Sequence, residues 1–493
     1  MAVITKRRHS EAHENGVSRA VSGPLRAGIT GSYARDGVAT TTGTGRPSLR
    51  CGSLPMLSIW LDLTFENRCV IVAVFGLFGG ALANWMIYRF AYFNPRPISP
   101  WGPCPEGATP RTFWDRLPVF GWCFLRRESK WHGAGFWIRP LLIELGTAIS
   151  LVWLFQFETQ SGELLPAQMR LIQVLADFET YANSLFFAHA ILFVLMVAAT
   201  FIDFDERIIP DLITIPGTVL GLLLAATLIT GADGASETLA FLPTVNFVQG
   251  SDVLTYRPTT FDAPWFSGDQ TWFGKRGLLW GLGIWSTWCF ALCDRRWSGA
   301  ILRRRGFRRA VKHFSNGLFH HTFWKVLFGL WIIGCVAVTA VWGIGEQYWH
   351  GLFTALVGLA AGGGAIWSIR IVATWALRME AMGFGDVTLM AMIGAFVGWQ
   401  AVLIAFFLSP FAAIVIVLLR YVITRDTQTP YGPYLCAGTM LTIVCWDGIY
   451  QDWLRANLLL FGSTLLWLCM AMLGLMAVML FVWRLIKTAL FYR

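Results

Sequence analysis

Charge is what this 493-residue sequence has least of. Asp, Glu, Lys and Arg make up 14% of it, against 55% hydrophobic residues and a mean hydropathy of +0.55. Soluble domains carry roughly 25% charged residues, so that class is excluded. Short alternating strands are lacking too. The apolar runs approach or exceed the roughly 20 residues that cross a bilayer as a helix, which excludes a barrel of strands about ten residues long. Paired cysteines are missing: the ten present are scattered, mostly within apolar runs (Cys69, Cys289, Cys293, Cys335, Cys436, Cys445 and Cys469), and no CxxC occurs. That excludes a disulfide framework. No convincing internal repeat appears, which argues against a transporter assembled from repeated halves.

What is there reads as an all-α polytopic integral membrane protein with about nine to eleven transmembrane helices, because helices satisfy their own backbone in lipid. Candidate spans fall at about 69–90, 140–156, 186–202, 212–231, 278–293, 326–345, 352–377, 386–398, 400–420, 434–450 and 457–487. Residues 1–55 are polar, with no helical period, and read as a disordered extension; Met56 is an alternative start, and no secretory signal precedes the first span. The net charge of +10 reads as cations held in cytoplasmic loops rather than as a nucleic-acid surface. Loops 91–139 and 294–325 are rich in cations, including Arg111, Arg126, Arg127, Arg303, Arg304 and Arg305, and belong inside. The acidic 157–185 belongs outside. This alternation puts the N-terminus of the first span outside, in conflict with the basic tail before it.

Ionisable residues within membrane segments are costly and mark function. "EAMGFGDVTLMAMIGAFVGW", Glu380 to Trp399, carries Asp386 at the start of an apolar helix, behind Gly383 and Gly385. "FIDFDERIIPDLITIPG", Phe201 to Gly217, carries Asp203, Asp205, Glu206 and Asp211 at the end of another span. The two sites are 183 residues apart in sequence, yet the loop charges put both at the cytoplasmic face. Neighbouring carboxylates cannot both ionise easily, which leaves an acid beside a base able to activate a water. The alternatives are ordinary ones: helix capping for Asp386 and Asp211, and interfacial solvation for Asp205 and Glu206.

At these residues the chain resembles the type IV prepilin peptidases, membrane aspartic peptidases with a GxGD motif. "MGFGDVTLMAMIGAFVGWQ" resembles the family's MGxGDxKL stretch, and "IDFDERIIPDLITIPG" its first-aspartate motif, whose acid lies seven residues before the first proline, here Asp203. "TPYGPYLCAG" resembles the FGPxL segment, "GLFGGALANWMIYRF" the first helix, "WDRLPVFGW" the DNIPxxSW stretch and "IRPLLIELGTA" the RYPxxE stretch. The resemblance implies GxGD aspartic peptidase architecture, with Asp203 and Asp386 catalytic and Gly383, Phe384 and Gly385 forming the active-site turn. Asp205, Asp211 and Glu380 are supporting candidates. It further implies prepilin or pseudopilin substrates cleaved after a basic leader, at the cytoplasmic face of a bacterial inner membrane, with the lipid bilayer as surroundings and no nucleic acid. Many relatives also methylate the new amine with S-adenosylmethionine.

Three departures stand out. The two CxxC pairs of the family's cytoplasmic loop are reduced to Cys104 and His132, so no structural zinc is expected and methyl transfer is put in doubt. Thr388 replaces a common lysine. The aspartates are separated by an insertion at about 232–350, whose outer loop carries Trp265, Phe266, Trp272 and Phe273. The expected organisation is therefore an N-terminal region over 69–185, a peptidase domain over 186–450 and an extra span over 457–493.

Overall fold

A computed structural model of the chain describes residues 59–91, 104–160, 175–227, 274–292, 323–377, 382–424, 430–454 and 464–491, with a few short stretches between them. The extension 1–55, the loop aromatics Trp265 to Phe273 and the basic run 295–309 lie outside the described residues.

Among the described residues, the longer helices are α1 Phe65–Phe90, α2 Ile138–Thr159, α3 Leu175–Glu206, α4 Asp211–Thr227, α5 Lys275–Ala291, α6 Phe323–Ile344, α7 Glu346–Leu377, α8 Phe384–Thr424, α9 Gly432–Val444 and α10 Thr464–Phe491. Among the described residues, seven of them are long and apolar enough to cross a membrane: α1, α2, α3, α6, α7, α8 and α10. The eleven spans expected from the sequence fall on these ten helices, of which α5 has 17 residues. Helices α4 and α9 are apolar but short, and the spans expected at 386–398 and 400–420 are two legs of α8. Where the insertion begins, two small antiparallel ladders pair Ile229–Thr230 with Glu237–Thr238, and Thr244–Asn246 with Thr255–Arg257.

Gly398 divides α8. Its φ of 83° is open to glycine and strained for other residues. The chain turns back there, so that Met390 before it and Val402 after it both reach Gly362 of α7. The first leg is buried almost throughout, from Val387 to Val397, and packs on α4 and α7, while Ala405 and Ser409 of the second leg meet Gly438 of α9. Lipid tails give helices little hydrophobic reason to associate, so close backbone approach has to supply the contact. Gly358 of α7 lies against the Gly394 carbonyl, and Gly362 against the Met390 carbonyl. On the other side of the molecule, Gly76 and Gly80 of α1 meet the backbone of Ala148 and Glu144 on α2.

Helix α3 joins the halves, touching α1 and α2 on one side and α4, α8 and α9 on the other. Polar contacts at its N-terminal end pin it: Trp60 Nε1 donates to Asn183 at 2.7 Å, and His189 Nδ1 lies 2.6 Å from Glu158 of α2, both side chains fully buried. Helix α10 packs on α7 and leaves most of its side chains exposed.

This packing generates a prediction. Gly362→Ala places a Cβ on the Met390 carbonyl, whereas Gly364→Ala meets nothing within 4 Å. The first is expected to lower stability in detergent by about 1–3 kcal/mol. The second is expected to leave it unchanged or slightly raised. Tryptophan-monitored thermal unfolding checks this, and equal effects of the two substitutions would contradict the close-packing account.

Candidate active site

Asp203 occupies the last turn of α3 and Asp386 the first turn of α8; both are buried, at 4% and 9% exposure. The fold brings them within electrostatic reach of one another. A third segment completes the arrangement. The Gly432 backbone N–H, at the start of α9, donates to Asp203 Oδ2 at 3.0 Å. Ile209, in the turn between α3 and α4, is the wedge common to all three: Gly385 packs on its backbone and Cβ, and Gly432 on its Cδ1. A side chain at Gly432 would press on the Asp203 carboxylate, and one at Gly385 on Ile209. The glycines of both motifs are thus spacers that let two acids share one buried location.

Asp386 is the third residue of α8, inside the helix rather than at its cap. Gly383 lies beside its carboxylate. Tyr431 is also within electrostatic reach of Asp386, and its hydroxyl is 2.8 Å from that of Ser409 on the second leg of α8. The turn itself is held from α7. Arg370 Nε donates to the Met382 carbonyl at 3.2 Å, and its guanidinium lies 5.5 Å from the centre of the Phe384 ring. Thr388, where relatives often have lysine, is buried and donates to the Gly385 carbonyl at 3.0 Å.

The other acids sit elsewhere. Asp205 is exposed, two residues from Asp203 and so on another face of α3; it accepts from Arg139 of α2 at 2.7 Å. That ion pair ties α3 to α2 and takes no part in the pair of acids. Asp211 opens α4, where the Pro210 carbonyl accepts the N–H groups of Ile213 and Thr214. Glu380 lies outside the described residues. Gly432, Ile209, Arg370 and Tyr431 were not singled out from the sequence. The only available signal was the "YGP" resemblance, which marked the segment but gave it no role.

The N-terminal half converges on Glu144 of α2, which is buried. Asn84 of α1 and Trp122 of the loop donate to its Oε1 at 3.0 and 2.8 Å, and the Val119 N–H donates to its other oxygen. Two bidentate ion pairs then clasp the loop: Arg111 with Glu128 at 2.9 and 2.7 Å, and Arg127 with Asp115 at 2.9 and 2.7 Å. The zinc of the family does not fit these residues. Cys104 donates its thiol to the Thr109 carbonyl, His132 lies 3.4 Å from the Glu128 already held by Arg111, and two ligands do not close a tetrahedral site. Among the described residues, no group of three or more possible ligands is arranged around a metal position. No side chain of the loop is assigned to S-adenosylmethionine either.

Fold and site together define a polytopic helical membrane protein with two buried carboxylates at facing helix ends. Residues 320–418 match the type IV leader peptidase family, and residues 74–157 match the bacterial peptidase A24 N-terminal domain. On these two regions the chain is related to the type IV leader peptidases. The first region contains Asp386; the second contains Asn84, Trp122 and Glu144; Asp203 falls between them. Similar curated proteins, each named prepilin leader peptidase/N-methyltransferase, come from Aeromonas hydrophila (34% identical over 113 residues, 21% of this chain and 37% of the relative), Stutzerimonas stutzeri (34% over 104 residues, 20% and 36%) and Pseudomonas putida (31% over 132 residues, 26% and 43%). The chain thus spans about two fifths of the length of the curated relatives it matches. No solved structure matches it significantly.

The clasp is testable without reference to activity. The Arg111 guanidinium holds the Glu128 carboxyl below the usual carboxylate range. Its contribution is therefore complete at neutral pH and is lost as pH falls below that range. Arg111→Met is expected to strand Glu128 and destabilise the loop by about 3 kcal/mol. Limited proteolysis at pH 7 should then cut within 104–137 in the variant and spare the parent; equal resistance would contradict the assignment.

Proposed function

We propose that the chain is a membrane aspartic endopeptidase that cleaves the basic leader from type IV prepilins or type II secretion pseudopilins. What supports the reading is one observation: the two acids that the GxGD and first-aspartate resemblances single out are buried together, although 183 residues separate them. The names of the relatives support the substrate class. The cationic loops support a site facing the cytoplasm of a bacterial inner membrane.

In this mechanism one carboxylate is ionised and the other protonated, and a water lies between them. The ionised acid takes a proton as the water oxygen attacks the scissile carbonyl. The protonated acid gives its proton to the amide nitrogen, the C–N bond breaks, and the products are the leader's carboxyl terminus and a new amine. The Gly432 N–H orients the Asp203 carboxylate through Oδ2. Arg370 fixes the turn from which Asp386 projects, Gly383 leaves room for the substrate backbone, and Gly385 makes room for Ile209. Methyl transfer, named in the relatives, would draw on S-adenosylmethionine.

The test is cleavage of a candidate prepilin by the full chain in proteoliposomes, with the new N-terminus read by mass spectrometry. A single cut at the end of the basic leader is expected, with Asp386→Asn slower by about 10²–10⁴-fold. No cut by the parent chain, or an undiminished rate in the variant, would overturn the reading. Arg370→Met is expected to lower kcat about tenfold or more, the loss of one charge-assisted hydrogen bond. Arg370→Lys should recover part of that rate.

A further inference from the structure

We infer that the two acids hold fixed and different roles: Asp203 is the base that takes the water's proton, and Asp386 is the acid that protonates the departing nitrogen. Tyr431 is the residue that positions the acid. This rests on the peptidase reading and adds which carboxylate does what.

The two acids differ in their hydrogen bonds. Asp203 Oδ2 accepts the Gly432 N–H at 3.0 Å, whereas among the described residues no donor is directed at the carboxylate of Asp386. The peptide that supplies this donor is fixed from its other end. Its carbonyl is that of Tyr431, which accepts the N–H groups of Tyr434 and Leu435 at 3.1 and 3.3 Å in the first turn of α9. In a planar trans peptide the carbonyl and the N–H point opposite ways, so α9 aims the N–H at Asp203. A donor held in this way makes a charge-assisted bond with a carboxylate, and it leaves Oδ1 to receive a proton.

Tyr431 is within electrostatic reach of Asp386, and a chain of hydrogen bonds decides where its proton goes. Pro410, in the second leg of α8, has no N–H, so the Phe406 carbonyl one turn earlier has no helical donor. Ser409, fully buried, donates its hydroxyl to that carbonyl at 2.7 Å. A hydroxyl has a single proton. Ser409 therefore accepts from Tyr431, whose oxygen lies 2.8 Å away. Reversing the chain would leave the Phe406 carbonyl unpaired inside the apolar bundle. With its proton turned to Ser409, the tyrosine oxygen offers Asp386 lone pairs alone. An acceptor suits a carboxyl that carries a proton, and a donor suits one that does not. The backbone of α9 thus favours a base at Asp203, and the Tyr431 oxygen an acid at Asp386.

The proton balance closes. The water proton passes to Asp203 Oδ1 as the oxygen adds to the scissile carbonyl. Asp386 gives its proton to the nitrogen and the C–N bond breaks. The proton on Asp203 then returns to Asp386 across the pair.

The experiment uses the full chain in proteoliposomes and two synthetic prepilin segments, one with the natural amide at the scissile bond and one with an ester there. An ester oxygen leaves without prior protonation far more readily than an amide nitrogen, so loss of the acid matters less on the ester. The rate loss in Asp386→Asn should shrink by about tenfold or more on the ester, while that in Asp203→Asn should be equal on both segments. Tyr431→Phe is expected to lower kcat on the amide about fivefold with KM unchanged, and to leave the ester rate within about twofold of the parent. The fold should survive this change, because the FGPxL segment that the stretch resembles has phenylalanine there. Relief by the ester of Asp203→Asn, of both variants or of neither would overturn the assignment of roles while leaving the peptidase reading intact. An equal effect of Tyr431→Phe on both segments, or none on either, would overturn its part. Failure of the parent chain to cleave either segment would overturn the peptidase reading and this inference together.

Discussion

Burying two carboxylates in an apolar bundle is the constraint on which the rest of the structure depends. In the bilayer an uncompensated charge costs several kcal/mol, so each acid needs a polar partner or a shared proton. Asp203 has the Gly432 N–H, Asp386 has the N-terminal end of α8, and each has the other. Those contacts require three helix ends to meet, and side chains at the meeting points would keep them apart. Gly385 and Gly432 therefore flank Ile209. The same need for close approach extends along α7 and α8, where glycines face backbone carbonyls, and the hairpin at Gly398 lets both legs of α8 reach α7.

The N-terminal half solves a similar problem differently. Glu144 is satisfied from three directions, by α1, by the loop and by a backbone amide, and so fixes the loop against the first helix pair. The loop is clasped by Arg111 with Glu128 and by Arg127 with Asp115. The first pair is buried, so removing either partner leaves the other stranded. The Arg139 to Asp205 pair then links this half to α3, close to the end that carries Asp203.

Much of this was legible in the sequence because hydropathy reports long buried helices directly. The positions of α1, α2, α6 and the two legs of α8 follow from their apolar runs, with the legs expected as separate spans at 386–398 and 400–420. Asp203 and Asp386 stood out because each is an acid at the edge of such a run. What stayed hidden depends on contacts between distant residues. The Gly432 N–H belongs to the backbone, which has no sequence signature, and it meets an acid 229 positions away. Arg370 looked like one more cation until α7 placed it over Phe384. Asp205 could not be separated from Asp203 by composition; the helix places it on another face, opposite Arg139. Hydropathy located the helices without separating short packed ones from full spans, as α4 and α9 illustrate.

The central claim is that Asp203 and Asp386 act as one unit. The most direct measurement compares kcat/KM for prepilin cleavage by Asp203→Asn, Asp386→Asn and the double variant, each at matched expression and folding. Groups acting on one proton and one water lose their function together, so the double variant should be no slower than either single variant. Losses that multiply, or an Asp203→Asn chain that still cleaves at the parent rate, would contradict the account.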